Sequence, residues 1–347
     1  MSVDPKAPVT DSPATTEAGG LGASAPAPET STSRRTWRTL SIGGLDLYSM
    51  WPILVMIIII IITAVRTSNY LRVYNLENVI SQIAPLGIVT MGQAILLISG
   101  GIDLSVGYNA SLASIVTGLL LEHGHPLGIA IVAGIAAATA VGLINGILAA
   151  QNRAHPFIIT LGVSIFLFGL DTQLTGGAPV NNMKGLYTLF GGTFAGGIPT
   201  VAIPLVVVVI LTYIFLRWSR LGRQAYAIGG NEEATYLAGI RVKRTKIYLY
   251  TLMGLIVGVA GMVLAGQINE ASFNLAQNYE LESIACAVIG GTALFGGRGG
   301  ALRSLQGVAL YGVVENAISF AGLSSNYQQM ALGVIIVVAV MVARVSR

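Results

Sequence analysis

Beyond its first four dozen residues, this chain is a nearly unbroken series of apolar stretches, each about as long as a bilayer is thick. Ten are read, at about 49–66, 79–99, 102–121, 126–149, 157–175, 200–217, 246–266, 281–297, 301–320 and 329–344. A membrane helix needs about 17–25 predominantly apolar residues. The composition agrees: 54% of residues are hydrophobic and 10% are charged. A soluble domain carries about 25% charged residues, so a water-exposed fold of this size would lack a polar surface. Backbone groups in hydrocarbon must pair within the segment. The expected fold is therefore an all-α polytopic membrane protein of about ten transmembrane helices. The 43 glycines follow no Gly-X-Y period, which excludes collagen. The single cysteine, Cys286, allows no intrachain disulfide and reads as a packing residue.

Residues 1–45 read as a disordered cytoplasmic tail of Ala, Pro, Ser, Thr and Gly, and 46–347 as the membrane domain. No apolar segment near Met1 suggests a signal peptide. With the amino terminus inside and strict alternation, 15 basic residues fall inside and 3 outside. That asymmetry obeys the positive-inside rule and places both termini in the cytoplasm. Acidic residues lean outward, with Asp171 and Glu282 among those assigned there. Small residues four apart, Gly142/Gly146 and Gly254/Gly258, suit close approach of helix backbones.

The longest inside loop, 218–245, is flanked and filled by seven basic residues from Arg217 to Lys246. It also contains a helix signature. Asn231 is placed to cap, Glu232 and Glu233 sit in the first turn where the helix dipole favours them, and Ala234 continues the turn. Gly239 then stops the helix. A capped and terminated helix in a cytoplasmic loop is a natural docking surface.

Two glycine-rich interruptions break the apolar pattern. At Gly100-Gly101 one helix ends, and Asp103 reads as the cap of the next. The second lies at Gly290-Gly291 and Gly296-Gly297. The two align as a weak internal repeat of parallel orientation, and interrupted segments at matching places point to a transport path. Polar residues inside spans supply the other path candidates: Gln93, Ser105, Asn109, Asn145, Thr160, Glu315 and Asn316, together with Asp103. Amides and hydroxyls suit a neutral polyol. For each one alone, an interhelical hydrogen bond is the simpler role. Asp103 and Glu315 are ionisable, with no evident partner in the sequence, and intramembrane charges are functional by default.

Four stretches, in order over about residues 50–344, resemble the sugar permeases of ribose, xylose and galactose type among the membrane subunits of bacterial ABC importers. They are SGGIDLSVG at 99–107, PFIITLG at 156–162 with TGGAPV at 175–180, the loop with Glu233-Ala234 and Gly239 matching an E-A-A…G core, and VIGGTALFGGRGG at 288–300. The chain departs from the pattern at Phe168, at Arg303-Ser304, at Glu315 and at Leu332. The resemblance implies a pore-forming subunit in the bacterial inner membrane, moving a pentose or hexose by alternating access. It implies three protein partners: a cytoplasmic ATP-binding subunit docked on the loop, a periplasmic or extracellular sugar-binding protein, and a second permease copy or paralogue. Lipid surrounds it, and no nucleic-acid partner is expected.

The chain has no G-x-x-x-x-G-K-[ST] and no G-x-G-x-x-G, so ATP and Mg are expected on the partner subunit, with no cofactor here. His123, His125 and His155 lie in loops or at span edges, so neither a buried Ser–His pair nor a metal site is expected, and the chain does not read as an enzyme. The rival reading is a self-contained secondary transporter of a small polar solute.

Overall fold

A computed structural model describes residues 41–42, 45–67, 69–151, 155–181, 183–194, 197–324, 326–331, 333–334 and 337. They belong to one compact unit, Leu40–Arg347. The tail, Arg153, Leu332 and most of the tenth apolar segment lie outside the described residues.

The unit is built of helices: α1 Leu47–Arg66, α2 Val73–Ile98, α3 Val106–Glu122, α4 Leu127–Ala149, α5 Pro156–Thr175, α6 Lys184–Phe190, α7 Ala202–Trp218, α8 Arg220–Gly230, α9 Glu232–Leu237, α10 Val242–Ile268, α11 Tyr279–Ile289 and α12 Ala301–Phe320. Among the described residues, four two-residue strands accompany them: β1 Ser41–Ile42 pairs antiparallel with β2 Leu45–Asp46, and β3 Val180–Asn181 with β4 Glu270–Ala271.

Among the described residues, α2, α4, α5 and α10 are each long and apolar enough to cross a membrane. The bent pair α7 and α8, turned by 71° at Ser219, makes a fifth if it counts as one span. Two expected spans differ. The segment 281–297 is helical only to Ile289, and the 11 residues of α11 reach about 16 Å, half of a ~30 Å core. The segment 102–121 begins its helix only at Val106. The reason is the glycines: Gly100, Gly291, Gly296 and Gly297 all have positive φ, between 78° and 97°, a left-handed conformation that ends a helix and that other residues rarely adopt.

The core forms around α2, which is buried from Ile83 to Ile98. On one side α10 packs on it through Met253, Ile256 and Val257; on another, α11 and α12 add Ala285, Ile289 and Val308. The tightest pairing is α4 against α10. Both small-residue motifs meet there: a methyl group added to Gly142 would lie 2.8 Å from the Gly254 Cα, and one on Gly258 would lie 3.0 Å from the Ile135 Cα. Backbones this close gain dispersion contacts that no lipid chain supplies. Similarly, a Cβ on Gly307 would strike the carbonyl of Cys286, which is buried in the α11–α12 contact.

Candidate functional site

Three chain breaks converge at one end of the bundle. The Gly297 N–H donates to the Ile98 carbonyl at 2.9 Å, joining the break after α2 to the break after α11. The end of α8 closes on both, for a side chain on Gly229 would collide with the Ile98 carbonyl and the Gly297 nitrogen. The Tyr226 hydroxyl donates to the Gly299 carbonyl at 2.9 Å. The two interruptions matched in the sequence are thus in direct contact, with α8 of the loop 218–245 laid over them.

The loop itself is two helices. Ser219 starts α8, accepting from the Gly222 N–H at 2.8 Å. Asn231 starts α9, its Oδ1 accepting from the Ala234 N–H at 2.8 Å. Gly239, at φ +83°, ends it, with the Ile240 N–H returning to the Thr235 carbonyl at 3.3 Å. Glu232 pairs with Lys246 at 2.8 Å, fixing α9 to the start of α10. Glu233, Ala234, Tyr236 and Leu237 remain exposed. The sequence reading missed α8, whose apolar residues Ala225 and Ile228 are buried at helical spacing; that spacing, with Gly229-Gly230 just after it, was the available signal.

Ahead of α3, the break is held by a buried polar network. Asp103 is not the helix cap. Its Oδ1 accepts from the N–H of Ser105 at 2.8 Å and from its hydroxyl at 2.7 Å, which makes a turn two residues before the helix. Val106 begins α3 only after this turn. The Asn145 amide of α4 donates to both Asp103 oxygens, at 3.3 and 3.2 Å, and to the Ser105 hydroxyl at 2.8 Å. The Thr160 hydroxyl of α5 accepts from the Leu104 N–H at 3.0 Å, and the Tyr250 hydroxyl of α10 donates to the Ile102 carbonyl at 3.0 Å. Three helices therefore grip seven residues of non-helical backbone. A buried carboxylate is tolerated when several donors satisfy it.

The remaining candidates lie apart from this network. Asn109 donates to the Ala138 carbonyl at 3.2 Å. Gln93 is fully buried with neither amide atom partnered. Asn316 exchanges two hydrogen bonds with Asn75, at 2.8 and 3.0 Å. Glu315, which lacked an evident partner in the sequence, has Glu282 as an electrostatic neighbour, and Glu282 bonds to Tyr311. Asp171 and Glu282, counted on the outer side in the charge asymmetry, both lie within helices: Glu282 in the first turn of α11, and Asp171 wholly buried on α5. Asp171 falls inside the apolar stretch 157–175, so the burial was readable there.

A sequence family described as branched-chain amino acid transport system / permease component matches residues 75–340. The chain belongs to this permease family. The permease is 35% identical over 296 residues to the ribose import permease of Bacillus subtilis strain 168, covering 84% of this chain and 92% of that one. It is 29% identical over 305 residues to the galactose/methyl galactoside import permease of Escherichia coli K12, covering 82% and 91%. It is 31% identical over 300 residues to the fructose import permease of Rhizobium meliloti, covering 83% of each. No solved structure matches the permease. With its apolar helices, the family makes this a multi-pass membrane protein. The family description and these relatives name different cargoes, amino acid against sugar.

Proposed function

We propose that this permease is the pore-forming subunit of an ATP-driven importer in the bacterial inner membrane, moving a pentose or hexose by alternating access. The observation that carries this is the junction of Gly229 with Ile98 and Gly297. A push on α9 reaches α8 through the single residue between them, Asn231, and reaches two broken helices at once through α8. Exposed Tyr236 and Leu237, 69% and 78% accessible, are apolar surface on a helix otherwise set among basic residues. Such surface fits a protein partner better than water or lipid headgroups. The partner we assign is a cytoplasmic ATP-binding subunit, which would carry ATP and Mg. A periplasmic or extracellular sugar-binding protein delivers the cargo, and a second copy or a paralogue completes the pore. The ten-span topology with both termini inside belongs to this reading and rests on the charge asymmetry. The sugar class is supported by the printed names of the relatives.

The buried Asp171 and the half-buried Glu282 and Glu315 favour one other reading, a secondary transporter coupled to an ion gradient. Proteoliposomes containing the full chain and its partner subunits separate the two. Uptake of ribose, galactose or fructose that requires hydrolysable ATP is the expected result. Uptake driven by a proton or sodium gradient with no ATP would overturn the proposal.

A further inference from the structure

Away from the coupling junction, four elements bring three aromatic rings and two carboxylates together. On α5, Phe168 and Asp171 are three residues apart and so lie on neighbouring positions of one side. Tyr108, near the start of α3, packs edge-on to Phe168 with centroids 5.4 Å apart, and Phe168 packs on Phe273 at 6.0 Å. Phe273 comes from the segment between β4 and α11, and Glu280 from the first turn of α11. Asp171 is fully buried, and neither of its oxygens has a partner. Glu280 Oε2 is also buried and unpartnered, and lies where a side chain on Gly107 would be, 2.6 Å from that position. Tyr108 is the electrostatic neighbour of both carboxylates.

We infer that Tyr108, Phe168, Phe273, Asp171 and Glu280 form a binding site for a polyhydroxylated ring, the point at which cargo rests inside the permease. Burying a carboxylate with no donor is unfavourable, and a cargo hydroxyl supplies the donor. Aromatic faces take the C–H surface of the same ring. The helix break fixes where α3 starts, and so where Tyr108 stands against α5. The inference rests on the sugar-import reading and adds the place of contact.

The test uses the full chain with its partner subunits in proteoliposomes and radiolabelled ribose, galactose and fructose as probes. Asp171→Asn keeps the volume and removes the charge, and Phe273→Leu removes a ring on a separate element. Each is expected to raise the apparent KM for the transported sugar by about tenfold, the effect of losing a charge-assisted hydrogen bond or a comparable contact. The ATPase rate without sugar should not change. Phe166→Ala, on the exposed side of α5, should leave uptake at the parent level. If Asp171→Asn fails to assemble, Phe273→Leu decides. Unchanged KM and rate in the assembled variants would overturn the site while leaving the importer reading intact. A parent complex that carries none of the three sugars would overturn both.

Discussion

The Gly297 N–H and the Ile98 carbonyl, 199 positions apart in the sequence, are joined at 2.9 Å, and Gly229 fits against the bond only because it has no side chain. Gly229→Ala should therefore wedge the loop away from both breaks. The expected outcome is membrane insertion at the parent level, loss of most sugar uptake, and an ATPase rate no longer stimulated by loaded binding protein. Uptake assays beside quantitative membrane blots check it. Parent-level uptake would separate α8 from the transport cycle.

Glu233 is exposed and Gly239 sits at φ +83°. Glu233→Lys reverses the charge in the first turn of α9, where the dipole favours an acid. Proline locks φ near −65°, so Gly239→Pro cannot form the turn, and it removes the N–H that donates to the Tyr236 carbonyl at 2.9 Å. Both variants should insert normally and lose co-purification of the ATPase. Retention of the ATPase by both would refute the docking assignment.

Asn145 satisfies Asp103 from across the α3–α4 contact. Interhelical hydrogen bonds in membranes average about 0.6 kcal/mol. This one serves a buried carboxylate, where losing a donor costs about 1–3 kcal/mol, so the larger figure governs. Asn145→Ala should lower the thermal midpoint of the detergent-solubilised protein, and Asn145→Ser should recover part of the loss. An unchanged midpoint in Asn145→Ala would show that water replaces the amide without cost.

Asn75 and Asn316 satisfy each other. Either single alanine substitution strands a buried amide, at about 1–3 kcal/mol, whereas removing both strands neither. The double variant should therefore be less destabilised than the sum of the singles, by about 0.5 kcal/mol or more. Denaturation of all four proteins completes the cycle. Additive losses would dissolve the pairing. Sugar flux measured on the Asn316→Ala protein decides whether this residue also touches cargo, and ATPase binding should be unaffected.

Much of this architecture was legible in the chain. Gly142/Gly146 and Gly254/Gly258 announced close packing by their spacing, and all four lie in the α4–α10 contact, where Gly142 faces Gly254. Asn231 and Gly239 marked the ends of α9 because caps are local chemistry. Asp103 misled for a related reason: a carboxylate before a helix can cap it or can turn the chain first, and both choices satisfy the same local pattern. Which one holds was decided by Asn145, 42 residues away. Asp171 and Glu282 lie within apolar stretches but were counted on the outer side; the fold places both within helices, Asp171 wholly buried and Glu282 half-buried.

Apolar length and glycine placement by themselves determined that the chain is a helical membrane protein with two interruptions and a capped loop. Each of these is set by the interaction of a short segment with its solvent or with itself. Only the tertiary structure decided that the two interruptions touch, that Gly229 sits over them, and that Tyr108, Asp171 and Glu280 share one place. Those facts depend on contacts between residues far apart in the chain, and backbone hydrogen bonding, the force that shapes each helix, is indifferent to which helix becomes its neighbour.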